Sequence, residues 1–214
     1  MSPANRPRAR QQPAAAEART DIAESERSRL LTAATEVMQR NGWWGFKVDS
    51  VLRQAGLSTR SFYRHFHKKS DLLVALFEDE LGASAISLRR ATAAVETPSE
   101  KVRAYIAAAL DAAYQKDLAK PLSLVASHWR EMLLENPDAF ERCIAEVMAP
   151  LVEAIQAGIA TGEFTSEDPE ADAVAVFYLV AGMTADQASL GGTTPREQLE
   201  HVLMPFIQRA IGLQ

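Results

Sequence analysis

Apolar residues return every three or four positions along most of the chain, a spacing that marks one face of a helix and excludes the two-residue alternation of a strand. Between residues 137 and 161 the stripe reads Phe140, Ile144, Val147, Met148, Leu151, Ile155 and Ile159. From Pro195 it reads Leu199, Val202, Leu203, Phe206 and Ile207. No segment alternates convincingly, and no repeat of solenoid period is present. The expected fold class is therefore all-α.

Glycine, proline and capping residues divide this pattern into elements. A first helix from Ser25 carries Leu30, Ala34, Val37 and Met38 on one side and stops at Asn41-Gly42. A short helix follows over Val48–Ala55. Gly56 breaks it, and Ser58 is placed to cap a second short helix over Thr59–Phe66. Phe62 and Phe66 are four apart and face the core together. A long helix opens at Lys69 or Ser70 and runs toward Val95. Gly82 within it costs about 1 kcal/mol relative to Ala, and marks either a compliant point or a close helix crossing. Thr97, Pro98 and Glu100 form a capping-box start for a helix reaching Asp117. Helices are expected over 121–135, 137–161 with a kink at Pro150, 169–189, and from Pro195 onward. The first twenty or so residues, rich in Pro, Ala, Arg and Gln, are expected to be disordered.

Charge is unevenly divided. The whole chain of 214 residues has 23 Lys/Arg and 28 Asp/Glu, a net charge of −5. Residues 1–71 hold 13 of the bases and 7 of the acids, a balance of +6; residues 72–214 hold 10 bases and 21 acids, a balance of −11. Such asymmetry suggests a polyanion-binding head on an acidic body. Cys143 is the sole cysteine, so an intrachain disulfide is impossible and a reducing cytoplasm is the natural location. No apolar run approaches the ~20 residues of a membrane span, and the N-terminus lacks an apolar signal core.

The positive charge peaks in "AGLSTRSFYRHFHKK", residues 55–69, which has four Lys/Arg, two His, three aromatics and no acid. Helix, glycine turn and short helix over 48–66 have the dimensions of a helix-turn-helix, whose second helix enters the major groove N-terminus first. Thr59, Arg60, Ser61 and Arg64 are then the candidates for base edges, with the forked donors of Arg60 suited to guanine. Lys47, Ser58, Tyr63, His65 and Lys69 are the candidates for phosphate. A solvated basic helix in a core-forming hairpin is the alternative on pattern alone. Arg6, Arg8 and Arg10 form either a minor-groove arm or a leader with weak nonspecific attraction. At least one of Trp43 and Trp44, in "NGWWGFK", is expected to fill the small head core.

"VDSVLRQAGLSTRSFYRHFHKKSDLL" resembles the DNA-binding segment of TetR-family transcriptional regulators. The correspondence rests on Ala55-Gly56-Leu57-Ser58 at the turn, Tyr63-Arg64-His65-Phe66 in the second helix, and Lys69 at the start of the next. It extends over about residues 25–75, with three departures from it. Arg60-Ser61-Phe62 stands where members often have Gly-Thr-Leu, Lys47 replaces a capping Thr, and Asp49 is acidic where several members are polar or basic. The resemblance implies a basic arm (1–22), a helix-turn-helix domain (23–70) and a helical ligand-binding and dimerisation domain (71–214).

By the same resemblance, ligand occupancy in the body moves the fourth helix and the DNA heads. Tyr105, Tyr114, Leu124, His128, Trp129, Met132, Leu133, Phe140, Met148 and Phe177 are the pocket candidates, although a residue of each kind is more often plain core. Their apolar character points to a small hydrophobic effector. The last two helices have more apolar surface than one side needs: Val174, Phe177, Tyr178 and Ala181 on one, Leu199, Val202, Leu203 and Phe206 on the other. A two-fold four-helix dimer interface accounts for the excess. No Cys-x-x-Cys, His-Glu-x-x-His, phosphate loop or nucleophile motif is present, so no metal, cofactor or enzymatic activity is expected. The combined reading is a homodimeric repressor of a palindromic operator, released by a small hydrophobic ligand. An activator, or a helical ligand carrier without DNA binding, stays open.

Overall fold

The structure, a computed structural model, describes the backbone of residues 12–115, 128, 130, 132–190 and 193–213, and side chains from Glu24 onward within these, apart from those of 43, 44 and 188–190. Every regular element among the described residues is a helix: α1 (Gln12–Gly45), α2 (Val48–Ala55), α3 (Thr59–His65), α4 (Lys69–Ala93), α5 (Pro98–Tyr114), α6 (Pro137–Thr161), α7 (Pro169–Leu190) and α8 (Arg196–Ala210). The chain divides into two compact units, Met1–Leu73 and Val74–Gln214, here called head and body; α4 spans the division.

In the head, α1 starts far earlier than Ser25, which corrects the expectation of disorder for residues 12–22. Pro13 falls in the first turn, where its missing N–H costs nothing. The Ala-, Glu- and Arg-rich sequence after it has high helix propensity. The arm arginines Arg6, Arg8 and Arg10 lie outside the described residues, as do the Trp43 and Trp44 side chains. Gly42 adopts φ 64°, ψ −179° and kinks α1 at the predicted stop. The stripe Leu30, Ala34, Val37 and Met38 is buried with Phe46, Val51, Leu52, Phe62 and Phe66. Each fully buried large side chain contributes about 1.5–3 kcal/mol, which makes the apolar spacing decisive for a unit this small.

In the body, α5, α6 and α7 pack against one another and α8 covers α5 and α7. The expected capping box is present at α5: the Glu100 N–H donates to Thr97 Oγ1 (3.3 Å) and the Thr97 N–H to Glu100 Oε2 (3.0 Å). α5 ends at Tyr114, before the expected Asp117. Residues 116–127 lie outside the described residues, while 132–135 are helical, as expected. α6 carries Val147, Leu151, Ala154 and Ile155 buried along one side and spans Pro150 as a single element. By length and apolarity alone α6 could cross a bilayer, contrary to the sequence expectation; its buried stripe makes it a core helix.

Two glycines position this core. A Cβ at Gly158 would stand 2.1 Å from the Phe164 ring, so the bare backbone of α6 is what admits Phe164 from the following connector. Nothing among the described residues lies within 4 Å of a Cβ at Gly82, so no described neighbour supports the close-crossing reading of that residue. Cys143 is free and buried. Burial first, then the nearby Glu78 and Glu146, pushes its thiol pKa up, which disfavours the thiolate form.

Candidate nucleic-acid interface

The helix-turn-helix is built from three local devices. α2 begins at Lys47 without a side-chain cap, as the missing Thr implied. It ends at Gly56 in the left-handed region (φ 64°, ψ 38°), which lets the Leu57 N–H return to the Leu52 carbonyl at 3.0 Å. α3 then starts from Ser58, whose hydroxyl accepts the Ser61 N–H at 3.2 Å. The α3 ring pair is anchored inside: Phe62 is 1% exposed and Phe66 4%, with ring centroids 5.6 Å apart.

With those rings inward, α3 presents Thr59, Arg60, Tyr63 and Arg64 to solvent. Arg60 has no hydrogen bond or ion pair among the described residues, leaving all its donors available. The Tyr63 ring is 61% exposed and stacks edge-on against Phe62 at 5.5 Å. Lys47 is exposed at the mouth of an open groove of 730 Å³ that also takes in Asp49, Ser50, Arg53, Gly56, Ser58 and Thr59. The Arg53 guanidinium donates to Ser50 Oγ within it (3.3 Å). Lys69 Nζ lies 5.3 Å from the centroid of the Phe46 ring, a cation–π contact that holds the ammonium at the start of α4.

Two candidates are placed differently from the sequence reading, and two more are engaged within the head. Ser61 is buried, its hydroxyl 3.2 Å from that of Ser58; position 61 faces inward one residue before Phe62, so it drops out of the base-reading set. His65 is turned to α1, where its Nε2 lies 3.1 Å from Glu26 Oε2, with the imidazole side chain only 8% exposed. Its ring is thereby engaged with α1 inside the head. The Ser58 hydroxyl is committed to the α3 cap. Arg64 stays exposed, but its Nη1 donates to the same Glu26 oxygen at 2.9 Å.

Sequence reasoning missed three residues that position this surface. Arg29 Nη2 donates to the Ala55 carbonyl at 2.5 Å and lies 3.4 Å from the Gly56 carbonyl, clamping the turn from α1. Glu26 holds Arg64 and His65. Asp71 accepts the His67 and Lys68 N–H groups (3.0 and 3.2 Å) and caps the start of α4. The available signal was spacing: Glu26 and Arg29 lie one turn before the buried Leu30 and Ala33, on the inward side of α1. Their partners lie 26 to 39 residues away and are invisible to local pattern.

In the body, Tyr105 and Met132 are fully buried, and the Tyr105 hydroxyl donates to the Val147 carbonyl at 3.2 Å. Burial pushes the Tyr105 pKa well above its ordinary value. Phe140 is buried; Tyr114, His128, Leu133, Met148 and Phe177 are half-buried. The Tyr114 hydroxyl donates to the Thr194 carbonyl, tying α5 to the segment before α8. Leu124 and Trp129 lie outside the described residues. On the last two helices Val174 (40% exposed), Tyr178 (49%), Val202 (57%) and Phe206 (53%) face solvent. Leu199 and Leu203 are buried beneath them, which moves these two from the interface set to the body core. Ala181 is half-buried. Among the described residues no cluster of His, Cys, Asp and Glu could hold a metal ion.

Fold and site together define a two-unit helical protein with an N-terminal helix-turn-helix. Residues 30–76 match the family of bacterial regulatory proteins of the tetR type, and residues 98–190 match the tetracyclin repressor-like C-terminal domain. The chain belongs to the TetR family. It is 34% identical over 53 residues to the fatty acid metabolism regulator protein of Bacillus subtilis, 25% of this chain and 27% of that one. It is 27% identical over 88 residues to the transcriptional activator FasR of Mycolicibacterium smegmatis, 41% of this chain and 40% of that one. The matched stretches thus span well under half of either curated relative. Among solved structures, a TetR-family regulator from Rhodococcus sp. superposes with TM-score 0.71 at 21% identity, over 88% of this chain and 100% of that one. FadR from Bacillus subtilis in complex with stearoyl-CoA superposes with TM-score 0.64 at 18% identity, over 86% and 98%.

Proposed function

We propose that the protein is a homodimeric transcriptional regulator of the cytoplasm that binds a palindromic DNA operator through α2 and α3. The observation that carries this reading is the solvent face of α3, where unpaired Arg60, exposed Tyr63 and Thr59 project from a helix anchored by Phe62 and Phe66. Arg60 and Thr59 read base edges, with Arg64 beside them; Lys47, Tyr63 and Lys69 hold phosphate. The apolar face of Val174, Tyr178, Val202 and Phe206, with Ala181, pairs two copies so that the two heads read half-sites about one helical turn apart. The body is not an enzyme: it takes a small hydrophobic effector, with Met132, Leu133, Phe140, Met148 and Phe177 the lining candidates among the described residues. Long-chain acyl-CoA is the first effector to test, because the FadR neighbour was solved with stearoyl-CoA.

Effector binding releases DNA, which makes the protein a repressor. The second reading, an activator, is favoured by the similarity to FasR. Selection of bound fragments from random duplex DNA, followed by titration of the selected complex with stearoyl-CoA, tests the proposal. Enrichment of a palindrome and its release by the acyl-CoA are expected; no enriched sequence would refute operator binding. Reporter output in a deletion strain then separates repressor from activator.

A further inference from the structure

The acid Glu26 sits behind the recognition helix and takes donors from both of the last two α3 residues through one oxygen. Arg64 Nη1 lies 2.9 Å from Glu26 Oε2 and His65 Nε2 3.1 Å from the same atom. The Glu26 side chain is 15% exposed and that of His65 8%, while Arg64 remains 49% exposed. One DNA-facing cation, still half exposed, is therefore ion-paired to a largely buried carboxylate, on a surface whose function otherwise favours unpaired positive charge. Resting on the DNA-binding reading above, we propose that Glu26 is a specificity-setting residue: it orients Arg64 for the operator and withholds the Arg64 charge from other DNA.

The physical argument rests on what each kind of complex uses. Nonspecific binding is almost wholly phosphate neutralisation with counterion release, and it gains from every free cation. A guanidinium paired with a carboxylate at 2.9 Å contributes no net charge to that attraction. Operator binding instead gains from a donor fork already held in one geometry, because less side-chain freedom is lost on contact. Glu26 therefore weakens the nonspecific complex and favours the specific one, and the ratio between them is what a regulator needs in a genome of competing sites. Arg60, with no such partner, works without this restraint. The two α3 arginines thus differ in kind: one is free and one is chaperoned by α1.

The experiment measures binding of wild type, Glu26→Gln, Arg64→Ala and the double variant to two duplexes by fluorescence anisotropy over a salt series. One duplex is the sequence selected by wild type; the other is a mixed-sequence duplex of equal length. Glu24→Gln, which removes an exposed acid of α1 that makes no ion pair among the described residues, controls for general charge. Glu26→Gln is expected to bind the mixed duplex about 3–10-fold more tightly, with a salt slope steeper by about 0.9, the value for one added phosphate contact. The ratio of selected to mixed affinity is expected to fall by about tenfold, and neither change should occur in the Arg64→Ala background or in Glu24→Gln. The near-isosteric Gln keeps the fold, which the circular-dichroism melt of each variant checks. If Glu26→Gln melts like wild type and leaves ratio and slope unchanged, or if its effect persists without Arg64, the inference is overturned. A variant that melts early and loses both complexes equally would show a merely structural role and also overturn it. Failure of wild type to bind either duplex would refute the DNA-binding reading itself, an outcome distinct from these.

Discussion

In the head, the exposed side chains that matter are polar and cationic: Arg60, Thr59 and the phenol of Tyr63 on the seven-residue α3, and Lys47 just before the eight-residue α2. In the body, the conspicuous exposed residues are apolar, Val174 and Tyr178 on α7, Val202 and Phe206 on α8. Each pair is four apart, so each makes one patch on its helix. Charge follows the same division, +6 over residues 1–71 against −11 over the rest. A short motif concentrates its chemistry within residues 47–69, whereas the body assembles its outward face from two helices whose exposed residues lie more than twenty positions apart. The comparison teaches that the head's helix boundaries and outer face follow from local spacing and caps, with α1 adding tertiary ties, whereas the body's outward face arises only from tertiary pairing, so substitutions should separate the two.

The largest effect should come from the head core. Phe62→Ala removes a ring that is 1% exposed and should cost about 3–5 kcal/mol. An early head transition in a thermal melt, with DNA binding lost and most helical signal retained until the body melts, would sharpen the division; a single unchanged transition would break it. Next comes Phe206→Asp, which places a charge in the apolar face while leaving the buried Leu203 and Ile207 in place. A central aromatic of an interface contributes about 2 kcal/mol or more, so light scattering should show a shift from dimer to monomer with little change in the fold. Ser58→Ala deletes the α3 cap and should cost about 1 kcal/mol, read as a lower denaturation midpoint and weaker binding to all duplexes.

The smallest expected effect is a pH dependence in the body. The Thr97 backbone N–H, then its hydroxyl, donates to the Glu100 carboxylate and lowers its pKa below the ordinary glutamate value of 4.5. A depressed folded-state value means the stabilisation is complete above the unfolded-state pKa and is lost as pH falls through the folded one. Melts of Glu100→Gln should therefore fall less steeply below pH 4.5 than those of wild type. Parallel curves would show that the capping box contributes nothing through its charge.

Most of the fold was legible because helical spacing, capping residues and glycine stops are local signals. α2 and α6 fall on their expected bounds, and the caps at Ser58 and Thr97 are where the side-chain chemistry puts them. The start of α1 was misjudged because composition suggests disorder while alanine-rich propensity favours helix. At the site, Arg60 and Tyr63 could be placed on the outer face by counting from Phe62 and Phe66. The inward turn of Ser61 and the capture of Arg64 and His65 by Glu26 could not, since they depend on how α1 lies against α3. Likewise, Leu199 and Leu203 differ from Val202 and Phe206 only by which side of α8 faces α5 and α7, a distinction that a stripe of apolar residues does not contain.

The central claim is that the unpaired α3 side chains read DNA sequence, and Arg60 tests it most directly. Affinities of wild type and Arg60→Ala should be compared on the wild-type-selected duplex and on the same duplex with one recognised guanine replaced. The account predicts that wild type discriminates between them by about 1–3 kcal/mol, the value of a bidentate contact, and that Arg60→Ala does not. Full discrimination retained in Arg60→Ala would contradict it.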